Sequence, residues 1–246
     1  MSAFTVDQST MTQFSDTLGS ILDEVVLETD DTEVRASGVD PANVAMVYVS
    51  LHEDAFEDFD GQSARYGIEL SKFSEVLSMA SSGEIVSVDH DDDRHRLVFS
   101  ISGLTYNMSY LTPDSVQEGP DQPALEFDAE FSIRSEQFQR GLRAADMISD
   151  HLEISVTDGI VSLDASGDTD DVVLELEEDD GVVFDGTPTD TLSIFSMDYL
   201  KDVMGGLPSD AVLNIQLGDD IPLVINSTFA DESGQITFVL APRIQS

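Results

Sequence analysis

The sequence predicts an α+β chain built from two copies of one domain, each with two helices packed on antiparallel sheets. Three observations carry this. Four segments space apolar residues as one face of a helix does, short alternating runs fill the intervals between them, and the order of elements in the first half recurs in the second.

The first helix is expected near Ser9–Val25, with Met11, Phe14, Leu18, Ile21, Leu22 and Val25 on one face. The second, near Leu70–Ala80, uses Leu70, Phe73, Val76, Leu77 and Ala80; the third, near Ser135–Ile148, uses Phe138, Leu142, Ala145 and Ile148. The fourth, near Met197–Leu207, uses Met197, Leu200, Val203, Met204 and Leu207. Among the strands the clearest is Leu125–Ile133, where Leu125, Phe127, Ala129, Phe131 and Ile133 alternate with polar residues. Further strands are expected at 44–51, 85–88, 97–101, 104–111, 152–156, 160–165, 172–176, 212–217, 223–225 and 236–240. Asp158-Gly159, Gly218-Asp219 and Ser233-Gly234 supply turns.

The duplication is visible in detail. Gln13-Phe14 matches Gln137-Phe138, and each of these helices leads to a hairpin closing on Ala-Ser-Gly, at Ala36-Ser37-Gly38 and Ala165-Ser166-Gly167. Phe73, Val76 and Leu77 match Leu200, Val203 and Met204. Charge divides evenly too: 24 acids and 5 bases in residues 1–123, 26 and 5 in residues 124–246. Thr112–Pro123 holds three prolines and a glycine, the composition of an extended linker. The expected domains are therefore 1–111 and 124–246, joined by a connector at 112–123.

Fifty Asp and Glu against ten Lys and Arg give a formal charge of −40. Hydrophobic residues still make up 41%, too many for an acidic disordered tail. A folded chain so charged repels itself in dilute salt, whereas at about 1 M salt the Debye length falls to about 3 Å. The composition fits the cytosol of a halophile. The chain has no cysteine, which excludes disulfides and thiolate chemistry. No signal peptide and no run of about 18 apolar residues is visible, so a soluble, cytoplasmic protein is expected. On charge alone nucleic acid is an unexpected partner, since Lys and Arg supply the counterion-release affinity.

Val39-Asp40-Pro41-Ala42-Asn43-Val44-Ala45-Met46-Val47 resembles the segment after the first hairpin in archaeal and eukaryotic proliferating cell nuclear antigen (PCNA). Leu240-Ala241-Pro242-Arg243-Ile244 resembles that family's closing segment, and Ile221-Pro222-Leu223-Val224 the strand before it. The resemblance spans essentially the whole chain. It implies the DNA-clamp fold assembled as a ring trimer, twelve helices lining a central hole, and a DNA polymerase processivity factor without enzymatic activity or cofactor. Implied partners are encircled double-stranded DNA, further copies of the chain, and DNA polymerase, clamp loader, flap endonuclease and ligase bound through short apolar motifs, with no membrane. A nucleoid-associated location follows.

The resemblance also assigns residues. A partner-peptide pocket falls on Val39, Asn43, Val44, Met46, Val116, Pro120, Pro222, Leu240, Ala241 and Pro242; methionine and small aliphatics suit many partners, although several would fill a core equally well. Arg140 and Arg143 share a helix face and match DNA-facing positions, with Lys72 and Lys201 near such positions. Glu75 and Ser78 stand where lysine is typical, and no base lies between Met1 and Glu24. A closed ring is held by topology, and in molar salt a lysine-rich bore adds little. Subunit contact is implied for Thr105, Tyr106, Asn107, Met108, Ser109, Tyr110 and Leu111 against Asp171, Val172, Val173, Leu174, Glu175, Leu176 and Glu177 of the next chain, as paired sheet edges.

Asp89–His95 lacks the glycine and distal glutamate of a calcium loop and is expected as a solvated hairpin tip; no metal site is expected. Asp164, Asp168 and Asp170 fail the same spacing, and His52 and His151 lack zinc-like partners. The competing classes are an acidic hydrolase, whose carboxylate pair would be lost among fifty acids, and an acidic β-rich structural protein without a DNA role.

Overall fold

The computed structural model describes residues 3–120 and 124–243. The chain forms two compact units, one of Met1–Pro120 with Thr228–Ile236, the other of Asp121–Ser227 with Thr237–Ser246.

Unit 1 runs β1 (Phe4–Asp7), α1 (Gln8–Gly19), β2 (Glu24–Thr29), β3 (Glu33–Val39), β4 (Ala45–His52), β5 (Phe56–Phe59), β6 (Ala64–Glu69), α2 (Leu70–Leu77), β7 (Ile85–Asp91), β8 (Arg96–Ile101) and β9 (Leu104–Ser109). Its strands pair antiparallel in the orders β5-β1-β7-β8-β9 and β4-β3-β2-β6. Unit 2 runs β10 (Ala129–Arg134), α3 (Ser135–Ala145), β11 (His151–Thr157), β12 (Ile160–Ser166), β13 (Asp171–Leu176), β14 (Val183–Phe184), β15 (Thr191–Ser196), α4 (Met197–Gly205), β16 (Val212–Leu217), β17 (Leu223–Phe229) and β18 (Gly234–Leu240). Here the orders are β14-β10-β16-β17-β18 and β13-β12-β11-β15. Element for element the second unit repeats the first, as the duplicated pattern predicts.

The helical faces bury as their spacing dictates. Met11, Phe14 and Leu18 of α1 and Phe73, Val76 and Leu77 of α2 are buried, and Ser15 and Ser74 hydrogen-bond across the two helices at 2.8 Å. Phe138, Leu142 and Ala145 of α3 and Leu200, Val203 and Met204 of α4 do the same in unit 2. Gly141 lets α3 sit close on the sheet: a Cβ there would lie 2.6 Å from Leu163 Cδ1 and 3.1 Å from Leu174 Cδ2.

All four helices are shorter than their apolar periods. Past Gly19 the residues Ile21, Leu22 and Val25 keep the period, but the β-branched run Glu24–Thr29 pairs on both sides, with β3 and β6, and that pairing outweighs helical propensity. The others stop at Leu77, Ala145 and Gly205, where Ser78, Asp146 and Gly206 close the last turn through their own N–H groups. The strand expected over Leu125–Ile133 begins only at Ala129. Residues 125–128 keep the alternation, but the ladders with β14 and β16 start at Phe131 and Ala129. Sequence inspection misses β1, β5 and β14, which are short, β6, which is interrupted by Gly67, and β15, whose buried face carries Thr191 and Ser193 beside Phe195 and so shows no apolar alternation. The two Ala-Ser-Gly hairpins are β2–β3 and β11–β12; the second turns on Asp158 and Gly159 at φ 51° and 81°.

Candidate functional site

The segment after β3 is organised by one carboxylate. Asp40 is 5% exposed and accepts from the backbone N–H groups of Ala42 (2.9 Å), Val44 (2.6 Å) and Ala45 (2.7 Å). Its own N–H donates to Ala45 O and its carbonyl accepts from Asn43 N–H, each at 2.9 Å. Asn43 takes the left-handed φ of 57° that asparagine tolerates. This tight turn leaves Asn43 exposed, Val44 and Met46 half-buried, and Val39 buried at the end of β3.

The connector lies against the same part of unit 1. Leu111 and Gly67 exchange two backbone hydrogen bonds of 3.1 and 2.8 Å. Pro113–Ser115 makes a 3₁₀ turn beside β6, and Val116 is buried. Arg65 on β6 reaches Glu118 at 2.6 Å and Glu28 at 2.8 Å. Gly119 packs on the Gly38 backbone, and Tyr48 Oη donates to the Pro120 carbonyl at 2.8 Å. Unit 1 thus places Val39, Asn43, Val44 and Met46 about the turn into β4 and Pro120 on Tyr48, while Val116 is buried in the connector just after the turn beside β6. Asp40, Tyr48, Gly67 and the Arg65–Glu118 pair were not singled out from sequence. The Asp-Pro-Ala-Asn composition of the turn is the one signal that points to Asp40. Asp121–Pro123 of the connector and Ile244 of the closing segment lie outside the described residues.

In unit 2, Pro222 is half-buried before β17, Leu240 is buried at the end of β18, and Ala241 and Pro242 are half-buried after it. The closing segment is fixed by Arg243, whose N–H donates to Ile194 O at 2.7 Å and whose guanidinium meets Asp150 at 3.1 Å. Arg243 and His151 hold the Asp150 carboxyl below the usual range, with the His151 hydrogen bond the larger cause.

Arg140 and Arg143 are exposed on α3, off its buried stripe, and Arg143 contacts Gln139 at 3.4 Å. Lys72 is half-buried on α2. Lys201 on α4 is committed within the unit: its ammonium lies 2.9 Å from Asp146 and 3.1 Å from Asp198, and these hydrogen bonds raise its pKa. Of the four expected DNA-facing cations, Lys72, Arg140 and Arg143 form no ion pair among the described residues.

The two segments expected at subunit contacts are both sheet edges. β9 pairs only with β8, and β13 only with β12, so each has one side of its backbone unladdered among the described residues. Exposure alternates along both, with Thr105, Asn107 and Ser109 outward on β9 and Asp171, Val173 and Glu175 outward on β13. The acidic run continues past β13 through Glu177 into a 3₁₀ turn at Glu178–Asp180. Asp89–His95 forms the β7–β8 hairpin end, where Arg94 pairs with Asp91 at 2.9 Å.

Two family models match the chain: the proliferating cell nuclear antigen N-terminal domain over residues 2–109 and its C-terminal domain over residues 121–243. The chain is 40% identical over 245 residues to a DNA polymerase sliding clamp of Haloarcula marismortui, covering 98% of each. A DNA polymerase sliding clamp of Natronomonas pharaonis is 39% identical over 241 residues, covering 94% of this chain and 97% of the other. Among solved structures, A. fulgidus PCNA bound to the C-terminal region of FEN-1 superposes with a TM-score of 0.91 at 25% identity, over 100% of both chains. PCNA from Thermococcus kodakaraensis has the same fold, with a TM-score of 0.89 at 21% identity over 98% and 99%.

Proposed function

The chain belongs to the proliferating cell nuclear antigen family and is a DNA polymerase sliding clamp; from that premise we propose that it closes as a homotrimeric ring around duplex DNA. The observation that carries this is the pair of edges unladdered among the described residues, β9 at one end of the five-stranded sheet of unit 1 and β13 at one end of the four-stranded sheet of unit 2. Head-to-tail pairing of two different edges closes a ring when the rotation between subunits allows it. The ring holds DNA without reading its sequence and carries out no chemistry itself.

Polymerase, clamp loader, flap endonuclease and ligase dock through apolar peptides at Val39, Asn43, Val44, Met46, Val116, Pro120, Pro222, Leu240, Ala241 and Pro242. The Asp40 turn and the Gly67–Leu111 bridge support the unit 1 part of that pocket. Arg140 and Arg143 supply the cations that face DNA, with Lys72 contributing, while Lys201 acts mainly to join α3 and α4. The proposed domains are 1–111 and 124–246 with a connector at 112–123, while the compact units place residues 112–120 and Thr228–Ile236 with the first. The setting is a high-salt cytosol, on the support of the −40 charge and the halophilic relatives. Among the described residues no helix is long and apolar enough to cross a membrane.

Light-scattering mass in molar KCl tests the ring. A trimer of the 26.7 kDa chain is expected, and a monomer at every salt concentration would overturn it. The acidic end of β13 makes assembly salt-dependent: dilution to about 0.1 M salt lengthens the Debye length to about 10 Å and should dissociate the ring. Glu175→Gln with Glu177→Gln should lower the salt needed for half-assembly. An unchanged requirement would place the repulsion elsewhere.

A further inference from the structure

We propose that the face of the β13-β12-β11-β15 sheet turned away from α3 is a docking surface for an extended segment of another protein carrying an arginine or lysine between aliphatic side chains. Three features of that face and its counterpart lead to this partner.

The first is the duplication. The Leu70 start of α2 and the Met197 start of α4 bring the sheets into register, so that Gly67, Val26, Ser37 and Tyr48 across unit 1 correspond to Ile194, Glu153, Asp164 and Val173 across unit 2. In unit 1 this row is covered. The connector is bridged to Gly67, buries Val116, passes over Gly38 and ends with its Pro120 carbonyl on Tyr48 Oη. Val26 on that row is fully buried. In unit 2 the closing segment makes the equivalent start, Arg243 N–H to Ile194 O. Val173, at the far end of the row, is 60% exposed, and Leu192, two residues before Ile194 on β15 at the opposite edge of the sheet, is also exposed.

The second feature is charge. Where unit 1 places Val26 opposite Ser37, unit 2 places Glu153 directly opposite Asp164, with Glu175 on β13 nearby. Like charges opposite each other on a sheet destabilise it. Asp164 Oδ1 is buried and has no hydrogen-bond partner. Burial raises the pKa of both carboxyls; Glu175 adds to the shift of Asp164, and Asp164 to that of Glu153, which His151 partly opposes. A guanidinium or ammonium brought in from outside supplies the missing donor and relieves the repulsion.

The third is chemistry at the margins. Ile194 and Val173 flank the acidic pair along the row, and Leu192 stands on the neighbouring row, so the complement is a cation with apolar neighbours at the two-residue spacing of an extended strand. Pairing along the edge of β13 uses backbone groups and leaves this face open. Partial burial keeps the pair less screened than surface charges in molar salt.

The raised pKa values also fix the fold control. The folded state favours the protonated carboxyls, so their stabilising effect is full only at acid pH and is lost as pH rises through the raised values. Asp164→Asn and Glu153→Gln should therefore melt no lower than the parent at neutral pH.

The test uses a fluorescein-labelled Val-Thr-Val-Arg-Val-Thr-Val peptide and its arginine-to-glutamate counterpart, titrated into the full chain in molar KCl by polarisation, with backbone amide shifts read by NMR. Expected are binding of the arginine peptide, shifts on β11, β12 and β15, and roughly tenfold weaker binding to the Glu153→Gln/Asp164→Asn variant. Met46→Ala, in the other proposed pocket, should leave it unchanged. Equal binding of both peptides, no loss in the double variant, or shifts confined to the 39–46 segment would each overturn the proposal. So would Mg²⁺ alone shifting the same amides and blocking the peptide, or a concentration-dependent mass increase abolished by the double variant, which would assign the face to a cation or to a second copy.

Discussion

Asp40→Ala is expected to destabilise unit 1 by about 3 kcal/mol, because it strands three backbone N–H groups that now share one carboxylate. Ala45 is fully buried, so its N–H has no water to turn to. The two shortest of these bonds, from Val44 and Ala45, both end on Oδ1. Asp40→Asn keeps that oxygen as an acceptor and turns an amide NH₂ toward the Ala42 N–H, and should lose about 1–2 kcal/mol. The loop set by Asp40 presents Asn43, Val44 and Met46, so affinity for an apolar partner peptide should fall together with stability. Urea unfolding in molar KCl and peptide titration at a temperature where both variants are folded separate the two effects. A variant as stable as the parent would mean that the turn is held by its backbone bonds alone.

Gly67→Ala should be nearly as damaging, for a steric reason. Its new methyl would lie 2.7 Å from the Leu111 carbonyl oxygen and 2.8 Å from Leu111 Cβ, too close for backbone to absorb without movement. Relief requires opening the two-bond bridge that seats the connector, at a cost of about 2–3 kcal/mol. Limited proteolysis should then cut within Thr112–Pro120, where the parent resists. Gly19 is the control. Nothing lies within 4 Å of a Cβ built there, so Gly19→Ala should stay within about 1 kcal/mol of the parent, on the stabilising side. Equal protease resistance of Gly67→Ala and parent would show that Arg65–Glu118 and Tyr48–Pro120 hold the connector without the bridge.

Much of this fold was legible because burial and periodicity coincide. Phe14, Leu18, Phe138 and Leu142 mark helices whose buried faces they form, and the paired Ala-Ser-Gly hairpins mark the repeat. What escaped is set by contacts distant in sequence. Ile21, Leu22 and Val25 continue the period of α1, and only the laddering of β2 between β3 and β6 ends it. Phe56–Phe59 and Val183–Phe184 become strands because β1 and β10 offer them an edge. The Val39–Val47 motif marked the turn between β3 and β4 as a candidate pocket, but the role of Asp40 in shaping it was not singled out, since only the Asp-Pro-Ala-Asn composition sets this acid apart from the other forty-nine. Lys201 counted as a free cation in the sequence; the Asp146 carboxylate that occupies it lies 55 residues away.

The tip of the last hairpin, Thr228–Ile236, belongs to the same compact unit as the first 120 residues, and the Ser233 carbonyl accepts from His52 N–H at 2.9 Å. On the ribosome this delays completion of the first unit until most of the second has been synthesised. At synthesis rates of about 5–20 residues per second, the amino-terminal unit waits on the order of 5–20 s for its final piece. Its β4 end is exposed for that interval, while the carboxylate-rich surface discourages neighbouring nascent chains from pairing with it. The first domain to emerge is not finished until the second is nearly whole.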